Sequence, residues 1–342
     1  MTGARDQYRV PGRDILAEVR DAYLPYRPII ADRDPGVLII RFTTDSLPAS
    51  ADEQEASWAR RMRASEVSAD QKHRVFTTLG AHVDHLVLPD RVSRAEFIDH
   101  IETANADPTV AAIIVQTPPP PTLVGELDRI DPGKDIDALG LLSHRAAGAT
   151  ADGITRIARP FLTDHPSIAV VGGRGFVGSA VVDILTAQGH SPLVLDRDDD
   201  LLQVREVEVV IATAGQGALL TPRHLHAGHR LVVDSGFVPR PSGPVGDVDP
   251  DAARLPAAIT PVPGGIGPVE MAVLAERLIN STAAPELPGW RFHGPSAGAE
   301  LTTAQIDVRT ERSATRDLGH DIPAVDQTRQ WSSGPDSGLG AD

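Results

Sequence analysis

Apolar residues along this chain gather in short unbroken runs, separated by stretches in which they recur at helical spacing. VLIIRF (37–42), HVDHLVL (82–88) and VAAIIVQ (110–116) form a first series, with the helix-like AEFIDHIETA (95–104) between the last two. A second series comprises SIAVVGG (167–173), PLVLD (192–196), VEVVIAT (207–213), RLVVDSG (230–236) and ITPVPGG (259–265). Runs that are apolar throughout, rather than alternating, are the mark of strands buried on both faces of a parallel sheet. Their alternation with helices predicts two α/β domains around a cleft. DPGKDIDALG (131–140), broken by Pro and Gly, is the expected domain junction.

Two regions depart from this rhythm. Residues 43–63 read as an insertion between the first strand and its helix, and 285–342 as an appended, disordered tail rich in Gly, Pro, Ser and charge. The remaining boundaries follow. Residues 1–147 plus 269–284 are expected to form the catalytic domain, and 148–268 the second domain, with the helix VEMAVLAERLIN returning to the first.

Composition narrows the field. The 342 residues contain no cysteine, which excludes disulfides and thiolate chemistry and fits a reducing, cytoplasmic setting. A net charge of −15 argues against nucleic acid, and no run approaches the roughly 18 apolar residues of a membrane helix. Metal binding is not expected. His82 and His85 point to opposite faces of a strand, and His224 and His226 are poorly spaced for a shared ion. Lys and Arg together number 32, and only Lys72 and Lys134 are lysines. Arginine cannot release its proton and lysine can, so both are candidates for proton chemistry.

Gly173-Arg174-Gly175-Phe176-Val177-Gly178 is a complete G-x-G-x-x-G between a strand and an apolar helix. Both flanks are those a dinucleotide pyrophosphate requires, so the second domain is expected to be a Rossmann unit. Gly173 is expected to permit the tight turn, Gly175 the approach of phosphate, and Gly178 close helix–strand packing. Asp196, eighteen residues on, suits the ribose hydroxyls of NAD, whereas Arg174 and Arg197 favour NADP.

Thr260-Pro-Val-Pro-Gly-Gly-Ile-Gly-Pro268 nearly reproduces a TPVPGGVGP signature, and IIVQTPPPP (113–121), KDIDA (134–138) and ASEVSADQK (64–72) occur in matching order. On these motifs residues 8–283 resemble the bifunctional methylenetetrahydrofolate dehydrogenase/cyclohydrolase family. The resemblance implies oxidation of 5,10-methylene-tetrahydrofolate with NAD or NADP, and hydrolysis of the methenyl cation to 10-formyl-tetrahydrofolate. It also implies a homodimer, with a small-molecule substrate as the only other partner. Lys72 falls on the catalytic lysine, which moves protons as the ring opens. Gln116 falls on the glutamine that hydrogen-bonds it, and Asp137 on the aspartate that accepts the pterin N–H groups. Ser68, Pro118, Pro263, Gly264, Gly265, Gly267 and Pro268 fall on the folate side, and Thr213, Ala214, Gly215 and Asp234 on the nucleotide side. Lys134 shares a motif with Asp137 and is expected to pair with Asp135.

Several positions depart from the family pattern. A tyrosine platform is replaced by Ser68, a glycine by Ala138, a leucine by Thr117 and a threonine by Glu270. Loss of an aromatic face removes about 1 kcal/mol of stacking. These changes keep three alternatives open: a same-fold dehydrogenase for a modified one-carbon substrate, a monofunctional enzyme, and a non-catalytic folate or nucleotide regulator.

Overall fold

A computed structural model describes residues 7–43, 53–240, 242–282, 289–295 and 299–302. Along the chain, β1 (Tyr8–Arg9), α1 (Gly12–Tyr23), α2 (Arg27–Arg33), β2 (Gly36–Thr43), α3 (Glu53–Leu79), β3 (His82–Pro89), α4 (Arg94–Ala106) and β4 (Val110–Val115) come first. The second half holds α5 (Ala149–Ala158), β5 (Ile168–Val171), α6 (Phe176–Ala187), β6 (Leu193–Leu195), β7 (Val209–Ala212), β8 (Leu231–Asp234), β9 (Ala258–Ile259) and α7 (Ile266–Thr282). A hairpin of β10 (Gly289–Phe292) and β11 (Ala299–Thr302) follows.

Two parallel sheets result, with orders β3-β2-β4 and β1-β9-β8-β7-β5-β6. The run Val37–Phe42 is apolar because β2 is central in the smaller sheet and covered on both faces. The larger sheet takes its edge strand β1 from the N-terminus, where Tyr8 and Arg9 pair in parallel with Ala258 and Ile259. Segment ITPVPGG forms strand only as far as Ile259, because Pro261 and Pro263 have no N–H to give a ladder. Helix α7 packs against α1, α3, α5 and β4, and most of its residues are buried, with Glu270, Glu276 and Arg277 taken up by charged or carbonyl partners. Among the described residues, no helix is long and apolar enough to cross a membrane.

Two sequence expectations are corrected. Residues 53–63 are the first turns of α3, so the expected insertion between strand and helix is in large part helix; residues 44–52 lie outside the described set. The tail is not wholly loose, because β10 and β11 form an antiparallel hairpin. Trp290 and Phe292 are two apart, share one face of β10 and are 3% and 1% exposed within the main core. Arg156 holds the strand down. It donates to the Trp290 carbonyl at 2.9 Å and to Glu276, and it stacks over the indole at 4.9 Å. Residues 303–342 lie outside the described set.

Candidate active site

The buried stripe of α3 runs Met62, Ser65, Ala69, Lys72, Phe76, Leu79, alternating steps of three and four. Lys72 therefore occupies a core position and is 1% exposed. A charge in such a place needs partners on every side. Its ammonium donates to Ser68 Oγ one turn earlier at 2.9 Å, to Gln116 Oε1 just beyond β4 at 3.1 Å, and to Glu270 Oε1 in α7 at 2.6 Å. Three N–H groups meet three acceptors, so the ammonium is saturated.

Asp137 lies close by, and its Oδ1 accepts the Ala149 N–H at 2.8 Å from the start of α5. Burial pushes this carboxyl up to about 6; Lys72 opposes the rise, Glu270 adds to it, and the Ala149 N–H and Arg277 oppose it. Behind it, Arg277 donates to the carbonyls of Ile136 and Ala147 and to Asp152, which also binds Arg156. Burial alone would raise the Asp152 carboxyl, but the two guanidinium groups bring it down to about 2.

Ser68 and Glu270 face a cavity of about 230 Å³ that is also lined by the loop Pro261–Gly265 and the first turn of α7, so Pro263, Gly264, Gly265, Gly267 and Pro268 all line it. Lys72 stands behind Ser68 and Glu270 rather than on the wall. Pro118 is likewise buried and off this wall. Phe237 lines the same cavity as Ser68 and is 42% exposed, so the cavity has an aromatic side chain although Ser68 supplies none. No sequence motif marks Phe237, and Glu270 stands out in the sequence only as a departure from the family pattern. A carboxylate at the start of an apolar helix was the signal; its partner lies 198 residues away.

Lys134 has a different role from the expected one. Its ammonium donates to the carbonyls of Ala104, Asn105 and Asp107 at 2.7–2.8 Å, closing the C-terminal end of α4. Asp135 turns the other way and accepts the N–H groups of Leu139 and Gly140. The lysine thus caps a helix and does not pair with its neighbour.

The glycine turn joins β5 to α6. The left-handed residue is Gly172, with φ of +77°, one position before the Gly173 that the motif suggested. A Cβ on Gly178 would lie 2.1 Å from the Gly172 carbonyl oxygen, so only glycine lets α6 approach the strand. Gly175 is the residue before the helix, and no side chain caps it, leaving the amides of the first turn, Val177 among them, free for an anion. Asp196 sits at the end of β6, its oxygens accepting the N–H groups of Arg174 at 3.1 Å and Arg197 at 2.9 Å. The Arg174 guanidinium pairs with Asp199 at 2.7 Å. A pyrophosphate at the helix and a ribose at Asp196 fit these donors and acceptors.

Across the sheet, Thr213 Oγ1 donates to the carbonyl of Val171 and Gly215 N–H to Asp247, with Ala214 between them packed beside Gly172. The Asp234 carboxylate accepts from Gly236, Asp247 and Val248 N–H groups, so it is a staple for the loops around the cavity. Burial pushes it up to about 6 against those hydrogen bonds.

Comparison with known proteins places both halves. Residues 148–285 match the family model described as tetrahydrofolate dehydrogenase/cyclohydrolase, NAD(P)-binding domain. Residues 58–137 match the model for the catalytic domain of the same family. "Bifunctional protein FolD 1" of Streptomyces avermitilis is 33% identical over 219 residues, 60% of this chain and 75% of the relative. "Bifunctional protein FolD 2" of Frankia casuarinae is 34% identical over 227 residues, 62% and 78% of the two chains. In fold, the chain is similar to the Trypanosoma brucei methylenetetrahydrofolate dehydrogenase-cyclohydrolase, solved with NADP and an inhibitor. That likeness has a TM-score of 0.68 at 24% identity over 81% of this chain and 97% of that one.

Proposed function

The chain belongs to the tetrahydrofolate dehydrogenase/cyclohydrolase family, and from that premise we propose how its own residues carry out the family's two reactions. It oxidises 5,10-methylene-tetrahydrofolate to the methenyl cation with NAD(P), and hydrolyses the cation to 10-formyl-tetrahydrofolate. The observation that carries the residue assignment is the buried Lys72 ammonium, paired with Gln116 and Glu270 beside a cavity that ends at the glycine-rich loop.

The nicotinamide nucleotide, bound along the Gly173–Gly178 turn, supplies the hydride acceptor. Gln116 fixes the direction of the Lys72 ammonium, whose proton the hydrolysis requires. Asp137 keeps one carboxylate oxygen for the pterin N–H groups while Ala149 holds the other. The stiff loop from Pro261 to Gly265, with the first turn of α7, borders both reactants and keeps them in register. Phe237 offers the cavity the aromatic face that Ser68 cannot.

The coenzyme we assign is NAD. A 2′-phosphate would meet the Asp196 carboxylate, and the Arg174 guanidinium is already paired with Asp199. Calorimetric titration should give at least tenfold tighter binding of NAD than of NADP; equal or tighter NADP binding rejects this assignment. Mixing the protein with methylene-tetrahydrofolate and NAD should raise absorbance from the reduced nicotinamide, followed by formyl product. Silence with both coenzymes would reject the function itself. By family resemblance the proposal extends to a cytoplasmic homodimer, for which mass measurement in solution is the check.

A further inference from the structure

Lys72 does not line the cavity. It is 1% exposed, all three of its N–H groups are donated, and it stands behind the cavity wall. Two of its partners, Ser68 and Glu270, line the cavity. A hydroxyl can pass hydrogen bonds on, but of the two only the carboxylate carries charge to match a cationic substrate. Glu270 also makes the shortest of the three contacts, 2.6 Å, in the range of a charge-assisted hydrogen bond. It is held from the first turns of α7, which follow the loop that ends at Gly265. The side chain is 16% exposed, and that exposure is toward the cavity it lines.

We propose that Glu270 is the proton relay between buried Lys72 and the substrate in the hydrolytic reaction. This rests on the functional reading above. As water oxygen bonds to the methenyl carbon, one of its protons passes to the Glu270 carboxylate, whose charge Lys72 had balanced. The bond from that carbon to N5 then breaks, N5 keeps the electron pair, and Glu270 returns the proton to N5. The remaining hydroxyl proton leaves to solvent as the formyl C=O forms. Cation and water thus give the neutral formyl product and one released proton, with no oxidant or reductant needed. Lys72 shares the proton with Glu270 along their 2.6 Å hydrogen bond, so the pair takes it up and returns it as a unit, with no net change at the lysine.

The test starts from purified methenyl-tetrahydrofolate, so that hydrolysis is read without the oxidative step. Glu270→Gln keeps shape and one acceptor while removing the relay, and it should slow hydrolysis at least tenfold, within the range general acid–base groups provide. The ratio of hydrolysis to oxidation should fall with it. Glu270→Asp should recover part of the rate, and adding formate to Glu270→Ala should recover part by supplying a carboxylate to the emptied space. Thermal melting of each variant identifies any that fail to fold, and Glu270→Gln alone then decides. Hydrolysis at the wild-type rate in Glu270→Gln, or faster hydrolysis, overturns the relay. A wild-type protein that oxidises but never hydrolyses overturns the relay while leaving the dehydrogenase reading intact. Failure of oxidation in the wild type bears on the function and not on Glu270.

A second readout uses the scarcity of lysine. Lysine-selective ¹⁵N labelling gives only two side-chain signals, from Lys72 and Lys134. Glu270→Gln should speed hydrogen exchange at the Lys72 ammonium and leave Lys134 as it is. Unchanged exchange at Lys72 would show that Glu270 does not hold it.

Discussion

The lysine pocket and the glycine turn are built in opposite ways. The turn uses contiguous residues, Gly172 to Gly178, whose backbone shape follows from the absence of side chains and from one helix start. The pocket draws Ser68 and Lys72 from α3, Gln116 from the end of β4, Asp137 from a loop and Glu270 from α7. Its charges are stable only because partners distant in sequence arrive together. A local device survives changes elsewhere, whereas a convergent one can be retuned by a single residue. Glu270 is such a residue, and Ser68 is another.

That contrast can be broken in a definite order. Replacing Lys72 by Arg keeps a cation but removes a releasable proton, so hydrolysis should fall by about 10²–10⁴ with the fold retained. Hydrolysis of methenyl-tetrahydrofolate measures it, and a wild-type rate would show that this lysine is not the proton-handling group. Gly178→Ala tests the local device. Its methyl would press on the Gly172 carbonyl and Thr213 Oγ1, so NAD affinity should fall at least tenfold and stability by about 1–3 kcal/mol. Calorimetry with NAD should show this while methenyl hydrolysis changes little.

Asp152 tests the convergent framework behind the pocket. Its carboxyl is near 2 when folded, against an ordinary value near 4, so ionisation stabilises the fold at neutral pH. The contribution is present above about pH 4 and is lost as pH falls toward about 2. Asp152→Asn should lower stability by roughly 2 kcal/mol at pH 7 and flatten the acid limb of a denaturation series. The smallest effect is expected at Ala138, whose φ of +53° suits glycine. Ala138→Gly should stabilise by about 1 kcal/mol in a denaturant titration, because the left-handed backbone no longer meets a Cβ.

Much of the fold was readable because buried parallel strands are apolar throughout, and each expected run from Val37 to Ser235 contains an observed strand. The misreadings share a cause. Trp290 and Phe292 sat in a stretch whose Gly, Pro and Ser content concealed two core positions. Lys134 looked like a partner for the acid beside it, yet its ammonium reaches carbonyls about thirty residues earlier. Asp234, expected on the nucleotide side, lines the cavity, and the three backbone amides on its carboxylate are not legible in its motif. Neither composition nor spacing reports which distant group a side chain will meet.

By itself, then, the sequence determined the two parallel layers, the glycine turn before α6 and the family, since each depends on periodicity or on residues adjacent in the chain. Tertiary structure alone decided that Lys72 is saturated behind the cavity wall, that Glu270 pairs with it while lining the cavity, and that Lys134 is a helix cap. Those are matters of burial and charge pairing. They are fixed only when helices and loops far apart in sequence exclude water from the same small volume.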